Sequence, residues 1–308
     1  MKFNSLIAFI FLIIMAGCIG GKRLTEIEKA DAERYYIKAW TILQNTTQNT
    51  LSRASATEAL EYINKAIKLN DSESKYFRVR GTSYYHLKDY DSALSDFNKA
   101  ISLDHTNGLA WMNRAILYEN TARFDLAERD YLSALNYDME KTTVYYNLGL
   151  LYDKWGKDSL SLHAYDEVIK LNPAYEGIYV NRGEKRMRCR LYEGAVSDFN
   201  SALKYDSTNK MAFNNRGLSK YYLKQYESAI PDFKKALSIG ADAAFYEHFD
   251  TDLYSYNNMA NCYFALGNIE EACKNWKIAI QKGYKYQKEW NEEYNIDDPN
   301  ELILKYCH

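Results

Sequence analysis

The sequence predicts an all-α protein built by stacking helix-turn-helix units into a solenoid closed by a capping helix. Two observations carry that prediction. A period of 34 residues runs through most of the chain. The composition, with 29 Tyr but only 3 Pro and 14 Gly in 308 residues, suits long helices and leaves little room for hairpins or Gly/Pro-rich linkers.

The first element departs from that composition. Lys2 supplies a positive start and Leu6 to Ala16 form an apolar run of 11 residues, the pattern of a signal peptide over 1–17. The run is about half of the roughly 20 residues a membrane-crossing helix requires. It ends in Met15-Ala16-Gly17-Cys18, which resembles the bacterial lipobox, with Met15 where Leu is usual. The resemblance implies cleavage before Cys18, acylation of its thiol, and a short tether over 18–23. Each buried acyl CH₂ contributes about 0.8 kcal/mol, so two or three chains hold a protein on a membrane. An ordinary secretory signal with an incidental cysteine is the alternative.

The period shows first in small residues: Ala66, Ala100, Ala134, Val168, Ala202 and Ala236 stand 34 apart, as do Ala59, Ala93, Ala127, Ser161, Ala195 and Ala229. Gly81, Ala115, Gly149, Gly183 and Gly217 form another series. Aromatics repeat in the same register, as Phe77, Trp111, Tyr145, Tyr179 and Phe213, and as Phe97, Tyr131, Tyr165, Phe199 and Phe233. Small residues let helices cross closely, and aromatics fill the remaining gaps.

A 34-residue period with these residues in this order resembles the tetratricopeptide repeat. Tyr84, Tyr118 and Tyr152 fill the tyrosine place, which Arg186 and Lys220 take in two units, and Pro173 alone keeps the closing proline. The resemblance implies a right-handed superhelix of about seven units, each a helix A and a helix B. Five are regular, at 74–107, 108–141, 142–175, 176–209 and 210–243. A divergent unit at 24–73 carries a polar stretch, Asn45 to Ser55, and another at 244–286 follows an insertion around Ala241 to Asp252. Residues 287–308 form a C-terminal cap. In the best-defined unit, helices over Lys75–Leu87 and Asp91–Leu103 flank the turn Lys88-Asp89-Tyr90.

Several function classes drop out. With 39 basic and 41 acidic residues interspersed, there is no electrostatic footprint for a nucleic-acid backbone. The five His residues are scattered, no His-x-x-x-His or Cys-x-x-Cys pair offers a metal site, and no Gly-rich phosphate loop is present. We therefore expect no enzyme and no cofactor. Besides Cys18 the cysteines are Cys189, Cys262, Cys273 and Cys307. Cys262 and Cys273, on the two helices of one unit, are candidates either for a disulfide or for two buried thiols.

The resemblance implies that helix A lines a concave groove, so its side chains not used in stacking are candidate binding residues. The sixth place carries Asn113, Asn147, Asn181, Asn215 and Asn258, a ladder of groups that both donate and accept and so match the backbone of an extended peptide. The alternative is that each Asn bonds the neighbouring helix. Arg78, Tyr146, Asn214 and Asn257 at the fifth place, and Thr82, Glu184 and Asn261 at the ninth, complete a mixed groove without the cationic character of a carboxylate clamp. Tyr85 and Tyr221 at the twelfth place offer stacking faces. At the seventh place, Arg80, Arg114, Arg182 and Arg216 are expected to lie along apolar surface with their heads in water.

Together these readings point to a lipid-anchored scaffold of the bacterial cell envelope, on the outer membrane and facing periplasm or surface, that binds protein or peptide partners. A glycan- or small-ligand-binding lipoprotein of an uptake system is the alternative.

Overall fold

The computed structural model describes residues 24–44, 52–137, 139–239, 251–286 and 298–308. The predicted signal peptide, Cys18 and the tether lie outside these residues. So do most of the polar stretch at 45–55, most of the insertion at 241–252, and the first part of the cap.

The described residues hold fifteen α-helices and no strand. The chain divides into two compact units, 1–140 and 141–308. The first contains α1 (Glu26–Gln44), α2 (Arg53–Leu69), α3 (Ser74–His86), α4 (Tyr90–Leu103), α5 (Gly108–Asn120) and α6 (Phe124–Ala134). The second contains α7 (Lys141–Lys154), α8 (Asp158–Leu171), α9 (Ile178–Arg188), α10 (Tyr192–Tyr205), α11 (Lys210–Tyr222), α12 (Tyr226–Ser238), α13 (Thr251–Ala265), α14 (Ile269–Gln281) and α15 (Pro299–Tyr306). Within each unit a helix packs most extensively on the next one in its hairpin, and then on the following repeat.

One backbone device closes six of these hairpins. Lys88, Ala122, Gly156, Arg190, Lys224 and Gly267 stand at the same place and all have φ between 56° and 78°. After α3, the Lys88 N–H donates to the Tyr85 carbonyl and the Asp89 N–H to the Tyr84 carbonyl. The same two bonds recur at Ala122/Arg123, Gly156/Lys157, Arg190/Leu191, Lys224/Gln225 and Gly267/Asn268. This is the Schellman end of a helix, in which a left-handed residue turns the chain so that orphan carbonyls find donors. The turn keeps its three residues but lies one residue earlier than the sequence reading placed it, at Leu87 to Asp89. Asp89 accepts from the Ser92 N–H at 3.2 Å as N-cap, so Tyr90 already belongs to α4.

The small-residue series mark the seams. Ala59, Ala93, Ala127, Ala195, Ala229 and Ala272 are fully buried. Ser161 replaces one of them, and its hydroxyl donates to the Gly149 carbonyl at 2.9 Å. A Cβ placed on Gly81, Gly183 or Gly217 would fall 2.7–2.9 Å from the ring of Phe97, Phe199 or Phe233, and Gly149 lies as tightly against Tyr165. Ala115 takes the same place in the repeat between, where it and Tyr131 are both fully buried.

At the C-terminus, α15 lays Leu302 and Ile303 on a cluster of Ala260, Ala272 and Trp276, and Tyr306 meets Phe264. A disulfide joins Cys273 of α14 to Cys307. Neither alternative for Cys262 and Cys273 holds for both residues: they do not pair with each other, and of the two only Cys262 is a free thiol. Cys262 is a buried free thiol in the apolar core of the second unit, where burial pushes its pKa up to about 12, and Cys189 is the other free cysteine among the described residues.

Candidate polar surface of the A helices

Of the five ladder residues, three spend their amide N–H on the preceding A helix. In the first unit, Asn113 on α5 donates to the Thr82 hydroxyl of α3 at 3.0 Å. In the second, Asn181 on α9 donates to the Tyr146 hydroxyl of α7 at 3.1 Å, and Asn215 on α11 donates to Glu184 of α9 at 3.0 Å. The spacing makes this possible, because the sixth place of one helix A meets the ninth or fifth place of the one before it. Each of these side chains is half-buried, as is Asn147 on α7, whereas Asn258 on α13 is buried. The ladder is thus first a set of bonds between repeats, and the Asn113 and Asn181 amide oxygens are the groups these bonds leave to a ligand.

The fifth-place residues divide. Asn214 donates to the Asn215 amide oxygen at 3.2 Å and accepts from the Ser255 hydroxyl of α13 at 3.0 Å. Glu184, Asn215, Asn214 and Ser255 therefore form one run of hydrogen bonds across three A helices. Burial holds the Glu184 carboxyl above its ordinary range, against the opposing pull of Arg188 and of the Asn215 bond. Tyr146 uses its hydroxyl on Asn181 and lays its ring 5.2 Å from that of Tyr175. Asn257 is buried with neither amide atom hydrogen-bonded. Arg78 is corrected as a groove residue: it is only 4% exposed, with its guanidinium 4.6 Å over the Trp40 ring, and burial lowers its pKa.

The seventh-place arginines also differ from expectation, for their heads are tied to carboxylates and mostly covered. Each forms a two-pronged ion pair with an aspartate 16 residues on, in helix B of its own repeat: Arg80 with Asp96, Arg114 with Asp130, Arg182 with Asp198, and Arg216 with Asp232. All four aspartates are buried. The remaining guanidinium nitrogen reaches back to helix B of the preceding repeat, to Asn64, Asn98, Asp166 or Asn200. Where Arg186 and Lys220 replace the repeat tyrosine, they add a second cation to Asp198 and Asp232, both at 2.7 Å. The 142–175 repeat has Leu148 and Ala164 in place of the pair, and both are buried.

The twelfth-place tyrosines are tied into the surface. Tyr85 accepts from the Asn120 amide, and Tyr221 packs on Tyr222 and Tyr226. Sequence reading missed two polar features of the second unit. One is Ser255, hidden by the register shift of the insertion. The other is Lys185, 4% exposed and paired with both Asp153 and Asp158, which require the fold to be seen as neighbours. Among the described residues no group of three or more His, Cys, Asp or Glu side chains is placed to hold a metal ion, and no helix is long and apolar enough to cross a membrane.

Two family models of the tetratricopeptide repeat match the chain, one at residues 75–107 and the other at 142–175, 212–241 and 253–275. No curated protein matches the sequence. The chain is similar in structure to the C-terminal part of a TPR repeat-containing protein from Cytophaga hutchinsonii, with TM-score 0.67 and 18% identity over 84% of this chain and 98% of that one. It is similar to PilF from Pseudomonas aeruginosa, with TM-score 0.57 and 15% identity over 73% of this chain and 98% of that one. It is also similar to YrrB, described as a TPR protein with an unusual peptide-binding site, with TM-score 0.51 and 23% identity over 61% of this chain and 97% of that one. The matched models show tetratricopeptide repeats at those residues, and the regularly spaced hairpins and the shared folds give the described residues the architecture of an α-solenoid.

Proposed function

We propose that this protein is a membrane-anchored interaction scaffold, held at a bacterial envelope membrane through acylated Cys18 and binding a segment of a protein partner along its A helices. The observation that carries the reading is the row of half-buried amides in the second unit, where Asn147 and Asn181 stand one repeat apart on α7 and α9. An extended peptide advances by about 3.3 Å per residue, so a row of fixed polar groups engages its backbone at intervals and leaves its side chains to set specificity. The peptide-binding site named for YrrB supports a peptide ligand on this kind of fold. The Cys273–Cys307 disulfide supports an oxidising compartment, and with it export across the cytoplasmic membrane.

The reading assigns no reaction to the protein and no cofactor. Its test combines affinity purification from gently solubilised native cells with mass spectrometry of the co-purifying proteins and of the N-terminal peptide. An acylated peptide beginning at Cys18 is expected. So is an envelope partner whose capture is lost in the Asn147→Ala/Asn181→Ala variant while the protein stays folded, its stability lowered only by the roughly 0.5–1.5 kcal/mol of the lost Asn181–Tyr146 bond. Equal capture by that variant removes the groove from the proposal, and an unmodified N-terminus removes the anchor.

A further inference from the structure

All four cations of α9 are paired, and its one acid is not. Arg182 and Arg186 pair with Asp198, Lys185 with Asp153 and Asp158, and Arg188 with Asp153. Glu184 is the only carboxylate on the helix, and among the described residues no basic side chain pairs with it. Its Oε1 accepts from the Asn215 amide of α11 at 3.0 Å, which leaves Oε2 open.

The charges that act on Glu184 do not make up the difference. Arg188, one turn on, attracts it, but donates Nη2 to Asp153 of α7. Taken together, Asp153, Asp158 and Glu184 face Lys185 and Arg188, three carboxylates against two cations. The charge left over is that of Glu184. A half-buried carboxylate without a counter-ion works against the fold, and glutamine would keep the Asn215 bond without that cost. Local costs of this kind collect where a ligand is bound.

The place of Glu184 in the repeat indicates the shape of that ligand. Glu184 stands one turn from Asn181, on the side of α9 where the ladder runs. The same ninth place carries the half-buried Leu150 on α7 and the buried Leu218 on α11, so the row sets one carboxylate between two leucines. A long basic side chain matches that order, with its methylenes against leucine and its head on the carboxylate. Because Asn215 already holds Oε1, the open Oε2 suits a compact ammonium better than a guanidinium fork, which engages both oxygens.

We propose that Glu184 sets the specificity of the second unit by pairing with a lysine side chain of the partner segment. The inference rests on the groove reading above and adds to it the chemistry of the partner, an extended stretch with a lysine in register with α9. The lysine ammonium supplies the counter-ion that Glu184 lacks, while Asn147 and Asn181 engage the backbone of the segment.

For the test, the detergent-purified full chain is screened against a phage-displayed library of random peptides, and the selected peptides are resynthesised and measured by calorimetry. Peptides with a fixed lysine are expected, bound about tenfold more weakly by Glu184→Gln. Replacing that lysine by norleucine should weaken binding to the parent by the same factor and change nothing further in Glu184→Gln, a coupling that a merely structural Glu184 would not produce. Thermal melts near neutral pH check that Glu184→Gln is folded, with a midpoint no lower than that of the parent. Selected peptides without a fixed lysine, or peptides lost with Asn147→Ala/Asn181→Ala but indifferent to Glu184→Gln, overturn the inference and leave the groove standing. Peptides indifferent to both variants, or no peptide at all, overturn the groove reading and the inference with it.

Discussion

Arg114 holds Asp130 by two parallel bonds, Nε to one carboxylate oxygen at 2.6 Å and Nη2 to the other at 2.8 Å, while Nη1 donates to Asn98 of the preceding repeat at 2.6 Å. One side chain thereby fixes the packing of α5 on α6 and of α5 on α4. A pair this well buried contributes little beyond what apolar residues of similar volume give, but losing one member leaves a charge without compensation. Asp130→Ala is therefore expected to destabilise the protein by about 3–5 kcal/mol. The double variant Arg114→Leu/Asp130→Ala, which installs the residues that the 142–175 repeat already carries as Leu148 and Ala164, should cost much less than the single change. Urea unfolding of the two variants side by side checks this.

Gly183 faces the Phe199 ring with no room for a methyl group, for a Cβ there would lie 2.8 Å from the nearest ring carbon. Gly183→Ala is expected to overpack the α9–α10 seam and cost about 1–3 kcal/mol. The change Phe199→Leu made together with it should recover part of the loss by freeing space. Thermal melts of the single and double variants give the coupling.

The disulfide from Cys273 to Cys307 closes 34 residues of chain, which in the chain-entropy account corresponds to about 3–4 kcal/mol. Because α15 is short and makes its described contacts with the last repeat, Cys307→Ser is expected to free α15 before anything else unfolds. Hydrogen exchange read peptide by peptide should show protection lost over 299–306 and partly over α14, with α7 to α12 unchanged.

Glu184 is raised above its ordinary 4.5 by burial. An acid whose folded value exceeds its unfolded value binds more protons in the folded state, so its contribution to stability is largest at low pH and declines as pH rises from about 4.5 through the folded value. Glu184→Gln keeps an acceptor for Asn215 without the charge. It should raise the thermal midpoint at pH 7, leave it nearly unchanged near pH 4, and flatten the profile between. A parallel shift of the whole profile would show that Glu184 does not titrate in this window.

The fold was legible because its seams are written in residue size. Gly81, Ala93 and Ala100 repeat where helices cross, and size is a property of one residue that needs no partner to be recognised. Polar function was less legible because it belongs to pairs. Asp96, Asp130, Asp198 and Asp232 stand at multiples of 34 as plainly as the arginines, yet their link over 16 residues emerges only when helix A is laid on helix B. The Asn ladder was visible as a row of amides, but which atoms it leaves to a ligand depends on Thr82, Tyr146 and Glu184 one helix away. Cys273 passed over Cys262, its neighbour in the hairpin, for a partner beyond the repeat, because α15 folds back onto α14.

The left-handed turns at Lys88, Ala122, Gly156, Arg190, Lys224 and Gly267 give each hairpin its own stop signal, read from two backbone bonds within six residues. No distant part of the chain is consulted in making the bend. Such hairpins nucleate locally and separately, and the free energy of a run of them grows by nearest-neighbour increments. A duplication or deletion of 34 residues that begins and ends at one of these turns leaves every remaining bend intact. The length of the array is then open to change by recombination, while the geometry of each bend is inherited whole.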